Sequence, residues 1–224
     1  MRISILTLFP QMFQGPFDYS IVKRAKEKKL VEISFTDIRN FGVGKHKIVD
    51  DKPYGGGVGM ILRVDVLQKA LDQTLNKKLT KKEQKVILLS ASGKTYDQKR
   101  AKKFSKLKHL IVICGHYEGV DERILKFVDE EISIGNFVLT GGEIPAMIVT
   151  DSITRLIKGV LKDDATMLES FSREEKLLEH PQYTRPRKFE KLKVPEILLS
   201  GNHEKINDWK KKESIKKTNK LKGR

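Results

Sequence analysis

Four loop segments hold most of the residue types able to grip or act on a small ligand. The first, KHKIVDDKPYGGGVGM at 45–60, carries Gly55, Gly56, Gly57 and Gly59 beside His46, Asp50 and Asp51. Glycines this dense let a backbone take positive φ and lie close against another surface. The flanking His and Asp residues form a polar cluster with no apolar period. The second segment, GHYEGVDER at 115–123, directly follows the apolar run LIVIC at 110–114. The third, SIGNFVLTGGE at 133–143, passes from strand-like residues to paired glycines at a helix start. Open α/β sheets place ligands beyond the carboxyl ends of their strands. Two such loops, after strands that are neighbours, predict a pocket shaped by backbone. The fourth segment, SASGKT at 90–95, ends in Gly-Lys-Thr as a phosphate-binding loop does. That loop needs a second glycine five positions before Gly93, and Leu88 stands there. A nucleotide triphosphatase is therefore disfavoured. No GxGxxG follows the first strand either, which argues against a conventional Rossmann nucleotide site.

These loops need a scaffold, and the apolar pattern supplies one. Residues 1–9 read as a buried first strand. Val31, Ile33 and Phe35 alternate with Glu32, Ser34 and Thr36, the period of a half-buried strand. VILLS at 86–90 and LIVIC at 110–114 are continuous and rich in β-branched residues, as strands covered on both faces are. EISI at 131–134 reads as a fifth strand. Helical stretches at 63–76 and 97–106 lie between them, so the chain is expected to be α/β with a mostly parallel sheet flanked by helices. A long packed helix is expected over 143–159, with Pro145 in its first turn and Gly159 as its stop. The segment 160–170 loses the strand pattern and reads as a linker. Residues 171–224 contain no convincing strand run and end in a basic tail.

At 224 residues, the chain suits one core domain with a small appended one. Its 38% hydrophobic residues suffice for a packed core. Lys and Arg number 45 against 29 acids, a formal net charge of +16, which points to a polyanionic partner through counterion release. The single cysteine, Cys114, excludes an internal disulfide and a thiolate zinc cluster. No run approaches the roughly 18–20 apolar residues of a membrane span, and the N-terminal stretch lacks a small-residue cleavage site. A cytoplasmic protein is expected.

In this setting, the motifs resemble the bacterial tRNA (guanine-37-N1)-methyltransferase family, TrmD, from end to end. The resemblance rests on LTLFPQMF (6–13), KHKIVDDKPYGGGVGM, ICGHYEGVDER, SIGNFVLTGGEIPAM, HPQYTRPRKF (180–189) and LLSGNHEKI (198–206), in that order. It implies a SPOUT-type fold with a deep trefoil knot, in a catalytic domain at 1–160. It further implies a linker at 161–170 and a small helical, tRNA-binding domain at 171–224. The implied activity is transfer of a methyl group from S-adenosylmethionine to N1 of guanosine 37 of tRNA, in support of reading-frame maintenance. A homodimer with active sites at its interface is implied as well.

By the same resemblance, the cofactor would contact Gly115, Ile134, Gly135, Asn136, Phe137, Val138 and Leu139. Ser90, Gly141 and Gly142 would line the same cleft, and Glu118 would lie near the methionine end. Glu169 matches the family's general base and Arg155 its catalytic arginine. His46, Asp50, His180, Tyr183 and Arg185 are the residues expected to handle the guanosine and its neighbours. A Mg²⁺ requirement is associated with the family, but no cluster in this sequence has a cation cage's density of oxygen ligands. Some positions depart from the common pattern. Glu169-Ser170-Phe171 stands for Asp-Ser-Phe, Asn136 for an Asp, and His116 for an Arg. SASGK at 90–94 stands for Ser-Pro-Gln-Gly-Arg. Two other readings compete: an RNA-binding protein that has lost catalysis, and a related knotted methyltransferase acting on ribosomal RNA or ribose oxygen.

Overall fold

In the computed structural model, the described residues are 1–162, 165–166, 169–172 and 177–222. The elements in chain order are β1 (Arg2–Thr7), α1 (Ser20–Glu27), β2 (Glu32–Asp37), β3 (Asp50–Asp51) and β4 (Ile61–Leu62). They continue with α2 (Val64–Thr74), β5 (Gln84–Thr95), α3 (Gln98–Phe104), β6 (His109–Cys114), β7 (Glu130–Ser133) and α4 (Glu143–Thr154). A short hairpin, β8 (Lys188–Phe189) and β9 (Leu192–Lys193), and a final helix, α5 (His203–Lys222), complete the chain. It divides into two units, Met1–Leu161 and Lys162–Arg224.

In the first unit, five strands form one sheet in the order β2-β1-β6-β5-β7, and every pairing is parallel. Both faces are covered, which explains the unbroken apolar runs. On one face Ile3, Ile5, Ile87, Leu89, Leu110 and Val112 pack against Phe104 of α3 and Ala146, Val149 and Ile153 of α4. On the other, Leu6, Val86, Leu88, Ile111 and Ile113 pack against Val66, Leu67, Ala70 and Leu71 of α2. Successive residues of one strand point to opposite faces, so each helix layer takes every second side chain.

The strand β5 is irregular where it matters. Its ladder to β7 pairs Leu89 with Ile132, and then Lys94 with the same Ile132. Residues 90–93 therefore bow out of the ladder before the chain rejoins β7. At the opposite end of the sheet a polar chain crosses the strands. Ser34 Oγ lies 2.9 Å from Ser4 Oγ, which lies 2.9 Å from His109 Nε2; His109 Nδ1 lies 2.7 Å from Gln84 Oε1. The backbone N–H of Asn76 also donates to Gln84 Oε1, at 2.9 Å. That N–H fixes the amide oxygen as an acceptor, so His109 must donate from Nδ1. Nε2 of the neutral ring is then an acceptor, and Ser4 donates to it. Burial and the charge of Arg2 lower the His109 pKa to about 4.

Two expectations need correction here. The helix expected over 143–159 ends at Thr154; Arg155 is its C-cap and residues 156–160 continue as turns. The C-terminal region does contain strands, β8 and β9, each only two residues long and exposed. In this second unit Leu178 N donates to Thr218 Oγ1 of α5 at 2.9 Å, and Lys217 Nζ donates to Glu179 O at 3.2 Å. The segment before the hairpin thus lies along the final helix.

Candidate active site

A cleft of about 340 Å³ opens at the carboxyl ends of β5, β6 and β7. Three connections meet there: the bow of β5, the loop after β6 and the loop from β7 to α4. Of the residues expected to hold the cofactor, Ser90, Gly115, Glu118, Ile134, Gly135, Phe137, Val138, Leu139, Gly141 and Gly142 line it. Asn136 does not; it is an exposed residue of the β7–α4 loop. His116, Tyr117, Ser133, Thr140 and Pro145 also line the cleft. All five fall inside the two glycine-containing segments or one residue or two beyond, so the signal for them was the segments themselves.

The β7–α4 loop is stitched to the end of β6 through backbone. Gly142 N donates to Gly115 O at 2.7 Å, and His116 bridges to Gly141 as an antiparallel pair. A Cβ at Gly142 would fall 2.7 Å from Cys114 Cα and 2.9 Å from Gly115 N, so only glycine allows this crossing. At the start of the loop, Ser133 Oγ donates to Gly135 O at 2.9 Å, which turns the chain away from β7. The glycine-rich segment at 55–59 approaches from the other side. Glu118 N donates to Met60 O at 3.0 Å, Leu62 N to Gly119 O at 3.0 Å and Asp121 N to Leu62 O at 2.9 Å. Gly59 has φ +90°, and a Cβ there would meet Glu118 Cγ at 2.5 Å. The polar cluster and the cleft loop are thereby joined into one rim.

Beneath the rim lies a buried carboxylate. Glu143 is only 2% exposed and begins α4, where the helix N-terminus favours negative charge. Thr7 Oγ1, at the end of β1, donates to Glu143 Oε1 at 2.7 Å and accepts from Phe9 N at 2.9 Å. The other carboxylate oxygen, Oε2, lies 3.9 Å from His116 Nδ1. Burial, and secondarily the Glu143 charge, push the neighbouring Cys114 thiol well above its ordinary pKa. That thiol is therefore protonated and inert, a packing residue as its place at the end of an apolar run suggests.

Of the remaining expected residues in the first unit, His46, Asp50 and Arg155 are not part of the cleft lining. Asp50 pairs with Leu62 in the β3–β4 ladder, and its neighbour Asp51 is 3.2 Å from the Arg63 guanidinium. His46 is exposed in the tight turn closed by Lys47 N to Gly44 O. Arg155 caps α4, with its N–H donating to Asp151 O at 3.2 Å. In the second unit, Glu169 sits in a bend where Ser172 N donates to its carbonyl at 3.1 Å. There too, His180 and Tyr183 flank Trp209 of α5, with ring centroids 6.4 and 6.3 Å away. Arg185 is exposed just beyond them. Trp209 is a member of this aromatic group that the motif reading missed; a lone Trp in a Lys-rich helix carries no motif of its own.

Comparison with known proteins identifies the family. A family model described as tRNA (Guanine-1)-methyltransferase TrmD matches residues 1–223. The chain is 54% identical over 219 residues to the tRNA (guanine-N(1)-)-methyltransferase of Dictyoglomus turgidum, covering 97% of this chain and 86% of that one. It is 51% identical over 220 residues to the protein of the same name from Carboxydothermus hydrogenoformans, covering 97% and 84%. Against the Syntrophomonas wolfei protein, again of that name, it is 49% identical over 219 residues, covering 97% and 87%. With a family model matched over nearly its whole length and relatives about half identical to it, the chain belongs to the TrmD family of tRNA (guanine-1)-methyltransferases.

Proposed function

We propose that this enzyme transfers a methyl group from S-adenosylmethionine to N1 of guanosine 37 in tRNA, beside the anticodon, and so supports reading-frame maintenance. One observation carries the reading. In a chain of this family, the loops after β6 and β7 are joined backbone to backbone around a cleft lined by Gly115, Gly135, Gly141 and Gly142. Small residues and exposed peptide groups suit a flat adenine and its ribose. S-adenosylmethionine supplies an electrophilic methyl group when bound. The bow at 90–93 and the return of the β7–α4 loop across β6 support a trefoil knot in the 1–160 domain.

Guanine N1 carries a proton and is a poor nucleophile until that proton leaves. Glu169, in the 161–170 linker, takes it as general base. Negative charge then grows on O6, and the Arg155 guanidinium stabilises it. Glu169 is one methylene longer than the Asp usual in the family, which extends its carboxylate by about a bond length. Glu118 and the cleft glycines hold the cofactor. His46, Asp50, His180, Tyr183 and Arg185 hold the guanosine and its neighbours. Trp209, beside His180 and Tyr183, adds an aromatic face on which a base can stack. The 171–224 domain binds tRNA; eight Lys or Arg among residues 210–224 support this through their attraction for phosphate.

Two copies of the chain assemble with active sites at their interface. Exposed Phe137, Val138, Ile144 and Ile148, on the cleft loop and α4, support this, because such apolar surface gains by being covered. Among the described residues no group of three or more His, Cys, Asp or Glu side chains converges. A Mg²⁺ ion would therefore draw most of its ligands from substrate oxygens and water. Among the described residues no helix is long and apolar enough to cross a membrane; a tRNA substrate supports a cytoplasmic location.

The test is methyl transfer from labelled S-adenosylmethionine to unmodified tRNA with guanosine at position 37, against the same tRNA with adenosine there. Transfer to the guanosine form alone is expected. Transfer to both, or to neither, overturns the assignment.

A further inference from the structure

His116 is an unusual member of the cleft wall. Its side chain is 21% exposed, yet Nδ1 is buried and has no hydrogen-bond partner. The nearest anionic atom is Glu143 Oε2 at 3.9 Å, about 1 Å beyond a charge-assisted hydrogen bond. Glu143 cannot turn away, because Thr7 holds its other oxygen. Gly141 fits between the two groups; a Cβ there would lie 2.5 Å from both Glu143 Oε2 and His116 Nδ1. The ring itself is wedged between Phe9, at 5.0 Å, and Tyr117, at 4.8 Å. With Nδ1 turned inward toward Glu143, Nε2 on the far side of the ring is the nitrogen available to the cleft that His116 lines. Other charged or titratable groups about the ring are Glu118 and Tyr117 on its own loop, Cys114 of β6, and Arg39, which stacks 5.9 Å from the Phe9 ring.

We infer that Glu143 is a positioning residue that holds His116 as an imidazolium, and that Nε2–H of His116 binds the carboxylate of the cofactor's amino-acid end. This rests on the cleft being the S-adenosylmethionine site. The chemistry is reciprocal: two carboxylates, one buried beneath the ring and one brought by the ligand, flank a ring that can carry one positive charge. Glu118, two residues on and also lining the cleft, offers an acceptor to the ammonium of the same zwitterion. Where the free ring is neutral, binding takes up one proton from solvent. It completes both the Nδ1–H to Glu143 and the Nε2–H to ligand hydrogen bonds.

The probes are S-adenosylhomocysteine and 5′-methylthioadenosine, which share adenine, ribose and thioether and differ in the amino-acid end. Binding of each is measured by calorimetry in two buffers of different ionisation enthalpy, at a pH where the free ring is neutral. S-adenosylhomocysteine should bind with proton uptake and methylthioadenosine without it. His116→Gln should lose about tenfold in the preference for S-adenosylhomocysteine, with methylthioadenosine affinity unchanged. His116→Arg, which carries a permanent charge, should keep the preference and lose the proton uptake. Glu143→Gln should weaken both preference and uptake; if it does not fold, the two His116 variants decide alone. Equal proton uptake with both ligands, or an undiminished preference in His116→Gln, overturns the inference while leaving the adenosine site intact. A fall in tRNA affinity with the ligand preference fixed would assign the imidazolium to RNA phosphate, and also overturns it. Failure of either ligand to bind the unaltered enzyme overturns the cofactor reading of the cleft, and the inference with it.

Discussion

Mild acid should destabilise this enzyme through His109, at the end of the sheet remote from the cleft. The ring is 1% exposed, and its two nitrogens are committed in opposite senses, Nδ1 donating to Gln84 and Nε2 accepting from Ser4. Protonation at Nε2 would set a second donor against the Ser4 hydroxyl and bring charge into the core. Burial and Arg2 accordingly lower the folded pKa from 6.5 to about 4. An unfolded chain takes up that proton near pH 6.5. The stabilisation is therefore complete above pH 6.5 and is lost as pH falls toward 4. At 1.36 kcal/mol per pKa unit, the loss attributable to this one ring is about 3 kcal/mol, a large share of the 5–15 kcal/mol typical of a domain. Depressed carboxylates act in a lower window: Glu83, at about 2, is held down mainly by Lys108 and keeps its contribution to much more acidic pH. The assay is urea denaturation from pH 7.5 to 4 of the unaltered protein and of His109→Gln. The stability difference between the two should shrink by about 3 kcal/mol as pH falls through this range. A difference that stays constant would refute the reasoning, since the histidine would then be titrating alike in both states.

Other expectations concern the cleft and the RNA side. Glu169→Gln should leave cofactor binding intact and reduce turnover at least 100-fold, as loss of a general base does; unchanged single-turnover rates would remove Glu169 from that role. Gly142→Ala should cost at least tenfold in cofactor affinity by forcing the loop off Gly115, and an unaltered affinity in equilibrium binding would contradict the close crossing. Thr7→Val strands Glu143 Oε1 and the Phe9 N–H, and chemical denaturation should report a loss of about 1–3 kcal/mol. Trp209→Ala should weaken tRNA binding in a filter assay while cofactor affinity stays fixed; equal tRNA affinity would exclude a stacking role.

Much of the sheet was legible because its strands are buried on both faces, so VILLS and LIVIC stand out as unbroken apolar runs. The helix α1 left little trace, since SIVKRAKE buries only Val22 and Ala25. The two-residue strands β8 and β9 are too short to carry any period. For α4, the apolar positions at Leu156 and Ile157 continued the helical pattern, but those side chains serve turns after Thr154. The cleft was readable where glycine density reported a backbone crossing, as at Gly141 and Gly142. Asn136 stands outside the cleft lining, which position within a loop does not reveal. The bow at 90–93 and the approach of His116 to Glu143 are products of tertiary packing. They join positions whose spacing along the chain has no periodic signature.

The central place of β6 sets the order in which this enzyme can be made. Residues 109–114 are inserted between β1 and β5, so on the ribosome the first strand must wait, with one edge unpaired, while the chain through Cys114 is synthesised. Its last tie comes later still, because Thr7 bonds Glu143, 136 residues further on. Contacts this distant in sequence form slowly and leave strand edges open meanwhile. The cleft loops are the final part of that closure, so on the proposed reading of the cleft a nascent chain gains its cofactor site only when the first unit is nearly all emerged. The methyl donor is then a ligand that can only reward completed folding, and its concentration in the cell should govern yield of the newly made enzyme as well as its turnover.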